Sequence, residues 1–91
     1  MELIWSRRAI LDLQAIRKYI AKHNPETAKE VAIQIAAAAD SLLEFPQKGR
    51  VGRIYNTREW VISSWPYILV YRVQKKKVAI LHVIHTSTNW P

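Results

Sequence analysis

Two neighbouring β-type runs in the C-terminal half of this chain constrain its fold more than any other feature. Tyr67–Val73 and Val78–His85 are rich in β-branched and aromatic residues, which suit the pleated surface of a sheet. The four polar residues between them, Gln74–Lys77, have the length of a hairpin loop. A third β-type run, Arg58–Ser63, is turned back by Ser-Trp-Pro at positions 64–66. The sequence therefore predicts a three-stranded antiparallel meander.

Pairing Val73 with Val78 across the loop assigns the strand side chains to two faces, because side chains alternate along a strand. The first face carries Tyr67, Leu69, Tyr71, Val73, Val78, Ile80, His82 and Ile84. The second face carries Ile68, Val70, Arg72, Ala79, Leu81, Val83 and His85. Both faces are mostly apolar, whereas a sheet with one solvated face alternates apolar and polar residues. We expect other parts of the chain, or a partner, to cover each face.

A pair of helices is predicted upstream of the meander. A short first strand at Leu3–Trp5 is followed by Ser6, a good N-cap, and by apolar residues at the 3.6-residue period over Arg7–His23. Asn24-Pro25 ends that helix and starts a second one, which Phe45-Pro46 stops. The short connection makes the two helices an antiparallel hairpin. The predicted fold class is α+β, with a short N-terminal strand and a helical hairpin packed on an antiparallel meander.

Length and composition restrict the class of protein. The 91 residues are expected to form one domain, spanning 1–91. Apolar residues make up 49% of the chain, too many for intrinsic disorder, and no apolar run approaches the roughly 20 residues that span a bilayer. Cysteine and a signal-peptide pattern are both absent, so a cytoplasmic protein without membrane association is expected. The net charge of +7 predicts an acidic partner, such as nucleic acid or an acidic protein.

The segment between the helices and the meander, Gln47–Asn56, contains both glycines of the chain and several cations. It lacks the spacing and the Lys-Ser/Thr pair of a phosphate-binding P-loop, and we interpret it as a basic connector. The histidines at positions 23, 82 and 85 lie on different predicted elements without paired carboxylates at ligand spacing. No metal site and no cofactor are therefore predicted.

Four stretches of the chain, in their order and spacing, resemble the RelE/ParE family of bacterial toxins from type II toxin–antitoxin modules, and its ParE-like branch more closely. They are AILDLQAIRKYIAKHNPETA in the first helix, SLLEFPQKGRVGR at the end of the second, TREWVISSWPYILVYRV in the first two meander strands and VAILHVIHTSTNWP at the end. Together they span nearly the whole chain. The resemblance implies a growth-inhibiting toxin that a cognate, commonly acidic antitoxin holds inactive in a hetero-oligomeric complex.

The family divides into two activities, and the sequence leaves both open. RelE-like members resemble ribonucleases that cut messenger RNA on the ribosome, whereas ParE-like members bind DNA gyrase and stabilise its cleaved-DNA state. RelE-like sequences carry arginines where this chain has Ile68 and Ser87. Because cleavage by 2′-hydroxyl attack needs an acid, a base and converging cations, these departures favour gyrase as the target. A non-catalytic basic RNA-binding module is a further alternative.

Each hypothesis assigns its own site residues. For a ribonuclease, the catalytic residues would be Arg58, Arg72 and His85. In the register above, Arg72 and His85 share a face but lie roughly 20 Å apart, too far to meet at one phosphate. For a gyrase toxin, the target-binding residues are Arg58, Arg72, His85 and Trp90. For the antitoxin we expect the sheet face away from the helices, flanked by cations, with contacts at Ile68, Val70, Leu81, Val83, Arg50 and Arg53.

Overall fold

The computed structural model describes all 91 residues, Met1–Pro91, as two helices packed on one face of a five-stranded sheet. The elements in chain order are β1 (Glu2–Trp5), α1 (Arg7–Ala21), α2 (Pro25–Ser41), β2 (Arg50–Val51), β3 (Arg58–Val61), β4 (Tyr67–Gln74) and β5 (Lys77–His85). The strand order is β1-β5-β4-β3-β2; β1 pairs with β5 in parallel, and the other pairs are antiparallel. The predicted α+β fold is confirmed, with the two-residue strand β2 added at the sheet edge.

Side-chain caps define the start of both helices. The Oγ of Ser6 accepts a hydrogen bond from the amide of Ala9 at 3.0 Å, and the Oδ1 of Asn24 accepts one from the amide of Thr27 at 3.1 Å. Pro25 occupies the first position of α2, where its missing N–H leaves no helical hydrogen bond unmade. Neither helix combines the length and the apolar character needed to cross a membrane.

The core lies between the helical hairpin and one face of the sheet. Leu13 and Ile16 of α1 pack against the buried core cluster and are themselves partly buried. The positions contributed by α2 are three or four residues apart, which places them on one side of the helix. The buried cluster consists of Ala9, Val31, Ile35, Ala39, Leu42, Ile62, Tyr67, Leu69, Tyr71, Val78, Ile80 and Val83.

The turn between β4 and β5 is tighter than predicted. Gln74 and Lys77 pair as the last rung of the ladder, which leaves only Lys75 and Lys76 as turn residues. Lys75 adopts a φ of 50°, a left-handed conformation that two-residue hairpin turns require. The backbone therefore extends both strands by one residue toward the turn.

The register of β4 and β5 is as predicted near this turn and shifts by one residue at a β-bulge. Tyr71 pairs with Ile80, but the next residue on β4, Val70, pairs with His82. Leu81 is therefore the extra residue of the bulge, which reverses the face of every later β5 side chain. The pairs beyond the bulge are Val70–His82, Leu69–Val83, Ile68–Ile84 and Tyr67–His85.

The bulge corrects two parts of the predicted site. Val83 belongs to the helix-facing core and is 3% exposed, so its assignment to the antitoxin surface on the other face is wrong. His85 pairs with the core residue Tyr67, whereas Arg72 pairs with Ala79 on the face away from the helices. Arg72 and His85 thus lie at opposite ends of the strand pair, as predicted, but the prediction that they share a face is wrong.

Two isoleucines on α2 provide a matched test of the core. Ile35 is fully buried, whereas Ile33 is 58% exposed. We expect Ile35→Ala to lower the free energy of unfolding by about 2–5 kcal/mol, because it removes buried methyl groups and leaves a cavity. Ile33→Ala is the same chemical change at the surface and should lower it by less than about 0.5 kcal/mol. Urea denaturation followed by circular dichroism would measure both, and equal losses would contradict this packing.

Candidate functional site

The sheet face opposite the helices, which we call the outer face, is partly covered by the chain itself. The ring of Trp90, near the end of the chain, lies 4.7 Å from that of His82, centroid to centroid. Val70 is only 1% exposed and Ile68 only 4%, so these two predicted antitoxin contacts are buried, while Leu81 is half-buried. A cleft of about 260 Å³ on this face is lined by Ile54, Thr57, Val70, Arg72, Leu81, His82 and Trp90.

A buried carboxylate fixes the β2–β3 segment to the outer face. Glu59 is 1% exposed, and its oxygens accept hydrogen bonds from the guanidinium groups of Arg50 and Arg53 at 3.0–3.2 Å. The backbone amide of Arg53 donates a further bond at 2.9 Å. Burial raises the pKa of Glu59, but the hydrogen bonds from both arginines and the charge of Arg53 outweigh burial and lower it to about 2. The carboxylate therefore stays ionised and holds both arginines.

Both arginines that bind Glu59 also face the solvent. The side chain of Arg50 is 57% exposed and that of Arg53 is 44% exposed. Arg53 additionally donates from Nη1 to the carbonyl oxygen of Trp90 at 3.1 Å, which ties the end of the chain to this segment. Arg72 donates from Nε to the carbonyl oxygen of Asn56 at 3.0 Å. We call Arg50, Arg53, Arg72 and Trp90 the basic outer surface.

Packing rather than hydrogen bonding holds the Trp90 ring in this surface. Its indole N–H is buried and has no hydrogen-bond partner. The ring stacks edge-on against His82, whose Nδ1 lies 3.7 Å from a carboxylate oxygen of Asp12 on α1. The same carboxylate oxygen of Asp12 accepts a hydrogen bond from the amide of Val83 at 3.0 Å, which satisfies a donor on β5. The tail is therefore connected through His82 to the first helix.

Arg58 has a structural role on the other side of the sheet. Its Nη1 donates to the carbonyl oxygens of Gln47 and Gly49 at 3.2 and 2.7 Å. The buried hydroxyl of Tyr71 donates to the carbonyl oxygen of Pro46 at 2.8 Å and accepts from the amide of Gly49 at 2.9 Å. A Cβ at Gly49 would lie 2.5 Å from that hydroxyl oxygen, so only glycine fits. Since Arg58 pairs with Tyr71, it lies on the helix-facing side of the sheet.

His85 lies at the far end of the sheet from these arginines. Its Nδ1 accepts a hydrogen bond from the amide of Ser87 at 3.0 Å and lies 2.7 Å from the Ser87 hydroxyl oxygen. The imidazole packs edge-on against Tyr67, with 5.5 Å between the ring centroids. A groove of about 370 Å³ beside it is lined by Ala15, Ile16, Tyr19, Tyr67, His85 and Ser87. No lysine or arginine lines this groove, so it lacks a cation for a phosphorane.

The structure thus brings together only part of the predicted target-binding set. Arg72 and Trp90 line one cleft, whereas Arg58 faces the helix side and His85 lies at the other end of β5. The structure contains no group of three or more histidine, aspartate or glutamate side chains arranged as metal ligands. Sequence analysis missed Glu59, although a signal was present: it is the only acidic residue between positions 45 and 91.

Glu59→Gln tests how strongly the carboxylate fixes the outer face. The folded-state pKa of Glu59, about 2, lies below its ordinary value of 4.5, so ionisation stabilises the fold fully above pH 4.5 and this contribution is lost as the pH falls toward 2. The shift corresponds to about 3 kcal/mol. We expect the free energy of unfolding of wild type to exceed that of Glu59→Gln by most at neutral pH. This difference should shrink by about 3 kcal/mol between pH 5 and pH 2.

The control for this experiment is Glu44→Gln. Glu44 is exposed and makes no ion pair, so the neutral substitution should follow the wild-type dependence of stability on pH. Chemical denaturation at several pH values would measure all three proteins. A difference between wild type and Glu59→Gln that does not change with pH would contradict the assigned role of the carboxylate.

Known proteins resemble this chain over almost its full length. The family model described as ParE toxin of type II toxin-antitoxin system, parDE, matches residues 3–90. The "Putative toxin Y4kP" of Sinorhizobium fredii is 44% identical over 87 residues, covering 96% of this chain and 90% of that protein. Toxin RelE2 of Caulobacter vibrioides is 37% identical over 86 residues, covering 94% of this chain and 96% of that protein.

Comparison of three-dimensional structures agrees with these sequence matches. A solved chain from the chromosomal ParDE TA system of P. aeruginosa superposes with a TM-score of 0.85 at 28% sequence identity, covering 93% of this chain and 95% of that chain. The resemblance predicted from the sequence motifs is confirmed by the family match, the two relatives and this superposition. The chain belongs to the ParE toxin family of type II toxin–antitoxin systems.

Proposed function

We propose that this ParE-family toxin inhibits growth by binding DNA gyrase and that a cognate acidic antitoxin neutralises it in the cytoplasm. The observation that carries the proposal is the dispersal of the groups that a ribonuclease would need. Phosphodiester cleavage requires an acid, a base and cations within a few ångströms of one phosphate. Arg58, Arg72 and His85 lie on two faces and at two ends of the sheet. A toxin that acts by binding needs only a complementary surface.

The basic outer surface supports a protein target. It places the ring of Trp90 in one cleft with Arg72, and the backbone carbonyl oxygen of Trp90 accepts a hydrogen bond from Arg53. Tryptophan and arginine are both enriched in protein interfaces. The Glu59 carboxylate holds Arg50 and Arg53, and the Asn56 carbonyl oxygen holds Arg72. These arginine side chains therefore lose less conformational entropy on binding. We therefore assign target binding to this surface, and not to Arg58, whose guanidinium is occupied by backbone carbonyls.

An acidic antitoxin is the second proposed partner, in a hetero-oligomeric complex. The net charge of +7 and the exposed guanidinium groups of Arg50 and Arg53 favour an acidic chain by long-range attraction. Because Ile68, Val70 and Val83 are buried, the antitoxin contacts that remain from the sequence prediction are Leu81 and the two arginines. Antitoxin bound at these arginines would also exclude the target. The family assignment favours such a toxin over a non-catalytic basic RNA-binding module.

A ribosome-dependent messenger-RNA endoribonuclease is the second candidate function, and one observation favours it. His85 is exposed, and its imidazole lies beside the hydroxyl of Ser87 and the ring of Tyr67 in an open groove. Histidine is the side chain that most often serves as a general base in enzymes. This mechanism would also need a cation from beyond the residues that line the groove.

Gyrase and ribosome assays distinguish the two activities. We expect purified protein to abolish supercoiling by gyrase and to leave messenger RNA on translating ribosomes uncut, as read by primer extension. Arg72→Ala should raise the concentration needed for half inhibition of gyrase by about tenfold, equivalent to about 1.4 kcal/mol of binding energy. Arg17→Ala, at an exposed arginine on α1, is the matched control and should inhibit like wild type.

Two outcomes would contradict the proposed binding of gyrase through the basic outer surface. Codon-positioned cuts that disappear in His85→Ala, together with unaffected gyrase, would assign the protein to the messenger-RNA-cleaving class and make His85 its base. Equal loss of gyrase inhibition in Arg72→Ala and Arg17→Ala would show that overall charge, rather than the basic outer surface, determines binding.

A further inference from the structure

The two nitrogens of the His85 ring lie in different environments. The backbone amide of Ser87 donates a hydrogen bond to Nδ1 at 3.0 Å, and the Ser87 hydroxyl oxygen lies 2.7 Å from the same nitrogen. The other nitrogen, Nε2, makes no hydrogen bond within the protein, and the residue is exposed. One ring nitrogen is therefore engaged by the chain itself, while the other is open to solvent or to a partner.

The turn that follows β5 holds the Ser87 amide against the ring. The amide of Thr86 donates to the carbonyl oxygen of Pro66 at 2.8 Å, and the amide of Thr88 donates to the carbonyl oxygen of His85 at 2.9 Å. These bonds fix the backbone on either side of Ser87. The His85 side chain accepts from the amide two residues later, as asparagine and aspartate side chains do in turns. The contact between ring and amide is thus part of the turn that ends the strand.

The Ser87 amide decides which nitrogen of His85 carries the proton. A backbone N–H can only donate, so Nδ1 must offer it a lone pair. A proton on Nδ1 would point at the amide hydrogen, and this bond would be lost. The Ser87 hydroxyl can rotate to donate or to accept, so it is compatible with either tautomer. The neutral ring therefore carries its proton on Nε2, because the hydrogen bond at one ring nitrogen sets the state of the other.

The orientation of the ring agrees with this tautomer. Turning the imidazole over about its Cβ–Cγ bond would place the carbon Cδ2 where Nδ1 now faces Ser87. The amide and the hydroxyl would then both lose their contact with a ring nitrogen. The ring also packs edge-on against the buried side chain of Tyr67, with 5.5 Å between the centroids. The observed orientation is therefore the one that satisfies the Ser87 amide.

This tautomer determines the chemistry open to His85. A general base must present a free lone pair to the proton that it removes. With the proton on Nε2, the only lone pair of the ring lies on Nδ1, which already faces the amide and the hydroxyl of Ser87. We infer that Ser87 is a positioning residue that holds His85 as a hydrogen-bond donor through Nε2 and keeps it from acting as a general base.

The role of Ser87 is independent of the protein that this toxin binds. His85 offers a partner an N–H donor, in a groove that no lysine or arginine lines. The same geometry counts against the messenger-RNA endoribonuclease, because that mechanism uses His85 as its base.

Nitrogen-15 NMR of the imidazole rings tests the tautomer directly. The spectrum would be recorded at about pH 8, above the ordinary imidazole pKa of about 6.5. His85 should show the shifts of a protonated Nε2 and an unprotonated Nδ1. His23 is the control in the same molecule, because it is exposed and its ring nitrogens make no hydrogen bond, so its shifts should average over both tautomers. A proton on Nδ1 of His85, or averaging like that of His23, would overturn the inference.

Two substitutions separate the amide of Ser87 from its hydroxyl. Ser87→Ala removes only the hydroxyl, so His85 should keep its proton on Nε2. Ser87→Pro removes both the hydroxyl and the amide donor, so the shifts of His85 should average like those of His23. Unchanged His85 shifts in Ser87→Pro would show that another group fixes the tautomer, which contradicts the role of Ser87.

Hydrogen exchange of the wild-type protein tests the same bond without a substitution. The amide of Asn89 is the control, because this residue is exposed and its amide makes no hydrogen bond. After correction for intrinsic rates, the Ser87 amide should exchange at least about fivefold more slowly than that of Asn89. Equal exchange of the two amides would contradict the bond to Nδ1.

His85→Gln provides a functional measurement. Glutamine keeps an N–H donor near the position of Nε2 and has no basic nitrogen. If wild type cuts messages on translating ribosomes and this variant does not, His85 is a base and the inference is overturned. Equal cutting by both proteins would support the inference and contradict gyrase inhibition as the activity. The absence of cutting by either protein agrees with both proposals.

Discussion

The ion pairs between the buried Glu59 carboxylate and two arginines are the interaction on which the outer half of the molecule depends. An unpaired carboxylate at 1% exposure would cost several kcal/mol, so Arg50 and Arg53 are constrained to stay beside it. Through Arg53 this constraint reaches Trp90 at the end of the chain. One buried charge thus links an edge strand, the segment that follows it and the C-terminal tail.

The two apolar faces of the sheet are covered by different parts of the chain. Helices α1 and α2 cover one face with a conventional apolar core. The other face is covered in part by the C-terminal tail and by residues 50–57, and the latter segment carries the exposed arginines Arg50 and Arg53. The covering of the outer face therefore carries the groups available to a partner. The function that we propose follows from this division, because the cations lie where they can bind an acidic surface but cannot converge on one phosphate with His85.

The same arginines have both a structural and a surface role. Each guanidinium of Arg50 and Arg53 uses some of its donors on Glu59 and keeps about half of its side chain in solvent. A partner would meet charges that Glu59 already orients. Rigid presentation of this kind suits a protein that inhibits its target by binding.

Much of the architecture was determined by the sequence alone. The caps Ser6 and Asn24, the helical period and the β-type runs are local signals, and local signals are enough to define the helical hairpin and the meander. The family followed from motif order along the chain.

Only the tertiary structure decided which face of the sheet each β5 side chain beyond Leu81 occupies. Because β5 is mostly apolar on both sides, and either register places one histidine (His82 or His85) on the helix-facing side, nothing in the pattern opposes the bulge. The burial of Val70 under residues distant in sequence, and the pairing of Glu59, also depend on long-range packing that no local pattern contains.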